Sequence, residues 1–309
     1  MPYIPPACDS ILGAVGGTPL ILLKRLNPHP DVRVWAKLEG FNPMGSVKER
    51  IALRIVEEGE RRGALRPGMT LLESSSGNTG IGLAMVGAVK GYPVVITMAR
   101  KVSRERRQIL EALGARVVFT SQEGGSDEAW ALADRMEREE PGRYFRIGQY
   151  VSPDNPLAHY HGTAVELWQQ THGRIDWLVL TLGTCGTLVG VARRLKELRP
   201  GLKVVSVEPQ PQHLQQGLRN MTESRVPDIM DWSLVDERMT VSDDDAARLT
   251  RDLARKEGIL AGISSGTAVY AALEVARRAG SGDVVTLLPD RGEKYLSMPL
   301  FPPGPDPEG

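Results

Sequence analysis

The sequence predicts an α/β protein of two domains, each with a mostly parallel central sheet flanked by helices, and three observations carry that reading. Short β-branched runs alternate with longer amphipathic segments along the chain. The short runs are continuously apolar rather than alternating, as strands buried on both faces of a helix-covered parallel sheet must be. Seven such runs in 309 residues suit two sheet-and-helix layers better than a single sheet.

In chain order the runs are MTLLES (69–74), YPVVITM (92–98), ARVVFT (115–120), RYFRIGQ (143–149), DWLVLTL (176–182), LKVVSVE (202–208) and DVVTLLP (283–289). Helices are expected over 46–62, 103–113, 126–139, 155–171, 187–198, 243–257 and 266–279, several closed by Gly or Pro. The first is the most explicit. After the turn residues Asn42, Pro43 and Gly45, Ser46 stands three before Glu49 as a capping box, and Val47, Ile51, Ile55 and Gly59 recur at fours. The best turn-rich boundary is 149–156, and the tail FPPGPDPEG reads as unstructured. No internal repeat is visible.

Composition narrows the function. Hydrophobic residues make up 41% and charged residues 25%, as in soluble globular proteins. Lys plus Arg and Asp plus Glu are 38 each, so no field of one sign exists to gather nucleic acid or an anionic membrane. Cys8 and Cys185 stand far apart, without His or Cys at ligand spacing, which excludes a disulfide framework or zinc site and points to a reducing cytoplasm. The first residues lack a basic segment followed by an apolar one, and no run of about eighteen apolar residues occurs. A secreted, lipidated or membrane-spanning protein is therefore not expected.

Four segments carry chemistry. Lys48 falls in the first turn of the helix that Ser46 caps, where the positive end of the macrodipole disfavours an ammonium and makes a neutral, nucleophilic amine easier to reach. A surface lysine on a turn gives the same local pattern. SSSGNTGIGLA (74–84) runs from a strand into small hydroxyl residues and then an apolar helix, a ready pocket for a carboxylate or phosphate, although part of that polarity would suffice as an N-cap. GTCGT (183–187) is a glycine-rich strand-to-helix loop of the phosphate-cradling kind. Its glycine spacing is wrong for a dinucleotide fingerprint, although Glu208, ending the next strand, imitates the ribose-binding acid. Cys185 lacks a nearby His, so a small residue in a backbone-donor loop is the better reading than a nucleophile. GISSGTA (262–268) puts Ser264 at a strand-to-helix junction, where a hydroxyl can meet a heterocycle nitrogen or simply cap the helix. His159 and His161 read as packing or surface residues, Asp243 to Asp245 as a helix start, and 135–140 as a solvated helix face.

In their order, GGTPL (16–20), WAKLEGFNPMGSVKER (35–50), SSSGNTGIGLA, GTCGT and GISSG resemble the fold-type II pyridoxal-phosphate enzymes, whose fold is like that of tryptophan synthase β. Within them the chain is similar to the cysteine synthases of the B-type branch, on SRERRQILEALGA, QYVSPDNPLAHYHGT, ELWQQTHGRI and PDRGEKYLS. That resemblance implies a smaller, mobile N-terminal domain over 35–150 and a larger one from 1–34 plus 151–309. It implies that Lys48 holds pyridoxal 5'-phosphate in a Schiff base and that Gly183, Thr184, Cys185, Gly186 and Thr187 bind its phosphate. Asn78 would contact the ring hydroxyl and Ser264 the pyridine nitrogen. Ser75, Ser76, Asn78, Thr79 and Gln149 would hold the substrate carboxylate.

The implied reaction is β-replacement of O-acetylserine or O-phosphoserine by sulfide or another sulfur donor, by way of an aminoacrylate, giving L-cysteine. Arg219, in QQGLRNMTESRVPDI (215–229), would pair with the phosphate of O-phosphoserine, or be an ordinary surface arginine. The partners implied are small-molecule substrates, a second copy in a homodimer and a sulfur-carrier protein where the donor is a thiocarboxylate. Gly17, Glu49 and Cys185 depart from the usual Asn, Asp and Gly or Thr of the family. Competing expectations are a cystathionine β-synthase-like or serine/threonine dehydratase-type lyase, a nicotinamide oxidoreductase built on GTCGT and Glu208, and a non-catalytic regulatory homologue.

Overall fold

A computed structural model describes residues 7–75, 77–99, 104–121 and 126–301. The tail beyond Phe301, Ser76 and the expected helix start at Ser103 lie outside the described residues. Among those described, the elements in chain order are β1 (Leu20–Leu22), β2 (Val32–Leu38), α1 (Lys48–Arg61), β3 (Thr70–Ser74), α2 (Asn78–Lys90), β4 (Val94–Met98) and α3 (Arg104–Ala112). There follow β5 (Arg116–Phe119), α4 (Ser126–Glu139), β6 (Tyr144–Arg146), α5 (Asp154–Ala158), α6 (Ala164–Gln170), β7 (Trp177–Thr181) and α7 (Gly186–Leu198). The chain ends with β8 (Lys203–Pro209), β9 (Glu237–Val241), α8 (Asp243–Asp252), α9 (Ile263–Ala279) and β10 (Gly282–Leu288).

The chain divides into two units. The smaller consists of Asn42–Gly148 with the described residues before Thr18; the larger, of Thr18–Phe41 with the described residues from Gln149 on. The expected division at residue 35 falls inside β2, whose seven residues pair in parallel register with β10 and so belong to the larger unit.

The smaller unit is built on the parallel sheet β5-β4-β3-β6. Every residue of β3 and β4 is buried, and α2 and α4 each pack against both strands. Covering of this kind is why their sequences are apolar without alternation. The larger unit holds the sheet β1-β2-β10-β7-β8-β9, parallel except for the antiparallel β1. Helix α9 packs on β2, β7, β8, β9 and β10, and its Val269, Ala271, Ala272 and Val275 join Val34, Val179, Val205, Val207 and Val284 in the core.

All seven strand-like runs form strands, and three further strands were not expected from the sequence. β1 has three half-buried residues, and β9 opens with the adjacent charged residues Glu237 and Arg238 at the sheet edge, where charge guards against unwanted pairing. β2 contains Lys37, which is fully buried. Its Nζ donates to the Thr18 carbonyl at 2.6 Å and Gln170 Oε1 at 2.8 Å and pairs with Glu166 Oε2 at 2.6 Å, so the charge is met on three sides.

Two expected helices are interrupted. The 155–171 segment is α5, a π-helical turn over His159–Thr163, and α6; the 243–257 segment is α8 and a π-turn over Leu253–Glu257 that ends on left-handed Gly258. The first of these turns receives α7. A Cβ built on Gly190 would overlap the Pro156 carbonyl and reach 2.8 Å from His159 Cβ, so the helices approach at backbone distance. Gly190→Ala is therefore expected to destabilise by about 1–3 kcal/mol through overpacking. A lowered urea midpoint at unchanged slope would be the signature, and an unchanged midpoint would refute the close approach.

Candidate active site

In the smaller unit the expected capping box forms in part: Glu49 reaches back to Ser46 N, but the N-cap residue is Val47 and the Ser46 hydroxyl accepts from Lys48 N rather than from Glu49 N. Ser46 N and Oγ donate to Glu49 Oε2 at 3.1 Å and Oε1 at 2.8 Å, and Lys48 N donates to Ser46 Oγ at 3.2 Å. Both Ser46 and Glu49 are fully buried, so the longer Glu49 serves the turn. The helix starts at Lys48 rather than Ser46, with half-buried Lys48 as its first residue. Helix α2 lies against this turn: a Cβ on Gly82 would stand 3.2 Å from the Lys48 carbonyl and from Glu49 N and Cα.

The loop before α2 divides its polar residues between capping and display. Ser75 Oγ accepts from Gly77 N at 3.2 Å and Gly80 N at 3.3 Å, while Ser75 N donates to the Thr97 carbonyl at 3.1 Å. One hydroxyl thus serves two N–H groups at the start of α2, whose N-cap residue is Gly77, and both its contacts among the described residues are accepted bonds. Asn78 is half-buried and Thr79 buried in the first turn. The structure thus brings Lys48 and the 75–79 loop together in one unit.

The larger unit carries the rest. Loop 183–187 joins β7 to α7, with Cys185 in the left-handed region at φ 69°. A Cβ on Gly183 would stand 2.6 Å from the Gly217 carbonyl, and one on Gly186 would overlap Asn155 Oδ1. Asn155, fully buried, donates from Nδ2 to the Gln149 carbonyl at 2.7 Å and to Thr184 Oγ1 at 3.0 Å. His159 bridges Thr187 Oγ1, 3.2 Å from Nε2, and Thr163 Oγ1, 2.9 Å from Nδ1. His159 is only 1% exposed, turned inward by the π-turn, so its reading as a packing residue missed these contacts. Asn155 was missed as well, because DNP in the sequence marks only a helix start.

Two further groups complete the unit. Ser264 is buried in the first turn of α9, a 17-residue helix. Arg219 is anchored beside the loop: its N donates to the Leu182 carbonyl at 2.9 Å, and its guanidinium stacks 4.4 Å from the centre of the Tyr150 ring. Glu208 secures the same segment by accepting from Met221 N at 2.7 Å and from Arg238 Nη2 at 2.6 Å. Both Glu208 oxygens are engaged in protein bonds, which removes the support for a ribose-binding acid.

Cys185 is 3% exposed, and its thiol is pushed up to about 12, chiefly by burial and secondarily by Glu208, with Arg219 opposing. A thiol that stays protonated is a poor nucleophile.

Residues 11–290 match the family described as pyridoxal-phosphate dependent enzyme. The chain belongs to that family. It is 42% identical over 294 residues to cysteine synthase B of Pseudomonas aeruginosa, covering 95% of this chain and 98% of that protein. Among solved structures it is similar to a cysteine synthase of Entamoeba histolytica, with TM-score 0.93 and 38% identity over 99% of this chain and 95% of that one. An O-ureido-L-serine synthase matches with TM-score 0.90 and 39% identity over 96% of each chain.

The raised thiol gives a direct test. In mildly alkaline buffer a thiol reagent is expected to label exposed Cys8 quickly and Cys185 only after denaturation. Rapid labelling of both cysteines in the folded protein would contradict the burial of Cys185.

Proposed function

We propose that the chain is a pyridoxal-phosphate-dependent cysteine synthase, replacing the β-substituent of O-acetylserine or O-phosphoserine with sulfide or another sulfur donor to give L-cysteine. The observation that carries this reading is the cup at the start of α7, where Gly183 and Gly186 have no room for a Cβ beside buried Thr184. A glycine-walled turn with hydroxyls and free helix N–H groups fits a phosphate monoester.

In this reading Gly183, Thr184, Cys185, Gly186 and Thr187 hold the phosphate, Asn78 the ring hydroxyl, Ser264 the pyridine nitrogen, and Lys48 the aldehyde carbon. Bound there, pyridoxal phosphate supplies an electron sink for the Cα–H bond. Ser75, Ser76, Asn78, Thr79 and Gln149 bind the substrate carboxylate, with the Ser75 hydrogen free to be donated because its oxygen accepts from Gly77 and Gly80. With the cofactor bound, Lys48 Nζ would be the general base that takes the Cα proton of the substrate. Ser264 is a weak acid and cannot keep the pyridine nitrogen protonated as a carboxylate would, which favours loss of the β-substituent over transamination.

Arg219, steadied by its stack on Tyr150, pairs with the phosphate of O-phosphoserine. The likeness to the family supports a homodimer and use of sulfide or a sulfur-carrier thiocarboxylate. Cytoplasmic placement is supported by a cysteine content too small for a disulfide framework.

The test is the visible spectrum of the purified protein, followed by cysteine formation with each donor. A yellow band that shifts on adding a donor, with both band and turnover lost in Lys48→Ala, is expected. A protein that stays colourless with added pyridoxal phosphate would overturn the reading, and keto-acid release without cysteine would reassign it to a dehydratase. Arg219→Ala is expected to lower turnover of O-phosphoserine by about tenfold or more, the worth of a charge-assisted bond, and to spare O-acetylserine. Equal loss on both donors would refute the phosphate pairing.

A further inference from the structure

The side chain of Asn155 is bonded on one side only. Its two Nδ2 hydrogens go to the Gln149 carbonyl and to Thr184 Oγ1, whereas Oδ1 is buried with no hydrogen-bond donor among the described residues and lies against Gly186. A leucine would fill the space without stranding an acceptor, so packing alone does not account for an amide here. The donor pair does. A backbone carbonyl can only accept, so the end of the amide facing Gln149 must be Nδ2, and the other Nδ2 hydrogen then reaches Thr184. Thr184 Oγ1 receives that bond, and among the described residues no acceptor takes the hydrogen of its own hydroxyl. That hydrogen is left to be donated into the cup.

We propose that Asn155 is a positioning residue that fixes the polarity of Thr184, making it a donor to the phosphate group of the cofactor, and ties the Gln149 backbone to the same cup. The proposal rests on the reading of loop 183–187 as a phosphate site. Through one buried amide, the segment bearing the carboxylate-binding Gln149 and the loop holding the phosphate move as one piece. A carboxylate in place of the amide would reverse the order: it would accept the Thr184 hydrogen, withdraw it from the phosphate and face the Gln149 carbonyl with like polarity.

The experiment strips the full-length protein of cofactor and titrates it with pyridoxal phosphate and, separately, with pyridoxal, which lacks the phosphate. Wild type, Asn155→Asp, Thr184→Val and the double variant are compared, with urea midpoints alongside. Expected are losses of about tenfold in pyridoxal phosphate affinity for each single variant, little further loss in the double, and unchanged pyridoxal affinity. Equal losses for both ligands, or single losses that multiply in the double variant, would overturn the proposal. If Asn155→Asp does not fold, Asn155→Ser, which retains one donor, replaces it and must show the same phosphate-selective loss. Failure of the wild type to bind pyridoxal phosphate would instead remove the functional reading itself.

Discussion

Helix α7 reaches its place only because two of its residues lack side chains. Gly186 lies against the Asn155 amide and Gly190 against the Pro156 carbonyl and His159 Cβ, so the helix meets the 155–160 segment backbone to backbone. Close packing of this kind leaves no slack to absorb a methyl group. Only residues 182–185 separate β7 from α7, and Thr187 is already in the helix, so the start of the helix decides where Thr184 and Thr187 stand. Their partners, Asn155 and His159, come from the very segment that the glycines admit. Packing therefore precedes chemistry: the contact that positions the helix also delivers the groups that orient its hydroxyls.

Charge is used sparingly where anions are to be held. The candidate binding groups at the starts of α2, α7 and α9 are hydroxyls, an amide and backbone N–H groups at the ends of helices of 13, 13 and 17 residues. Helix N-termini attract anions without a formal cation. Two carboxylates of these segments are spent on structure instead: Glu208 on Met221 N and Arg238, and Glu49 on Ser46. Of the residues assigned here to bind the cofactor, Lys48 alone carries a titratable amine, which suits a residue whose task is to give up and take a proton. A balanced total of 38 acidic and 38 basic residues is thus compatible with an enzyme for anionic substrates.

What could be read from the sequence was whatever depends on local pattern. Strands covered on both faces announce themselves by unbroken apolar runs, and α1 by its capping box, because both effects act within a few residues. β2 and β9 escaped because their neighbours in the sheet, not their own composition, make them strands: Lys37 is tolerated only where Thr18, Gln170 and Glu166 converge from elsewhere in the chain. The same division holds at the site. Gly-rich and hydroxyl-rich turns were visible at 75–79, 183–187 and 264, whereas Asn155 and His159 act on residues 29 and 28 positions away. No local spacing encodes such pairs. The backbone bond of Arg219 to Leu182 and its stack on Tyr150 likewise join residues far apart in the sequence, which no local pattern displays.

Cys185 shows how one residue can satisfy several of these demands together. At φ 69° a side chain costs about 1 kcal/mol relative to glycine, and a left-handed residue of this kind is one of the two conformations from which anion nests are built. A glycine would adopt the same angle freely but would also free a loop already bounded by Gly183 and Gly186. The thiol buries its small apolar surface and so offsets part of that strain. Burial also keeps it protonated, with its ionisation pushed up to about 12. If the turn holds a phosphate as proposed, a thiolate at that point would place a negative charge beside it, so the burial that stabilises the loop would also keep it fit for an anion.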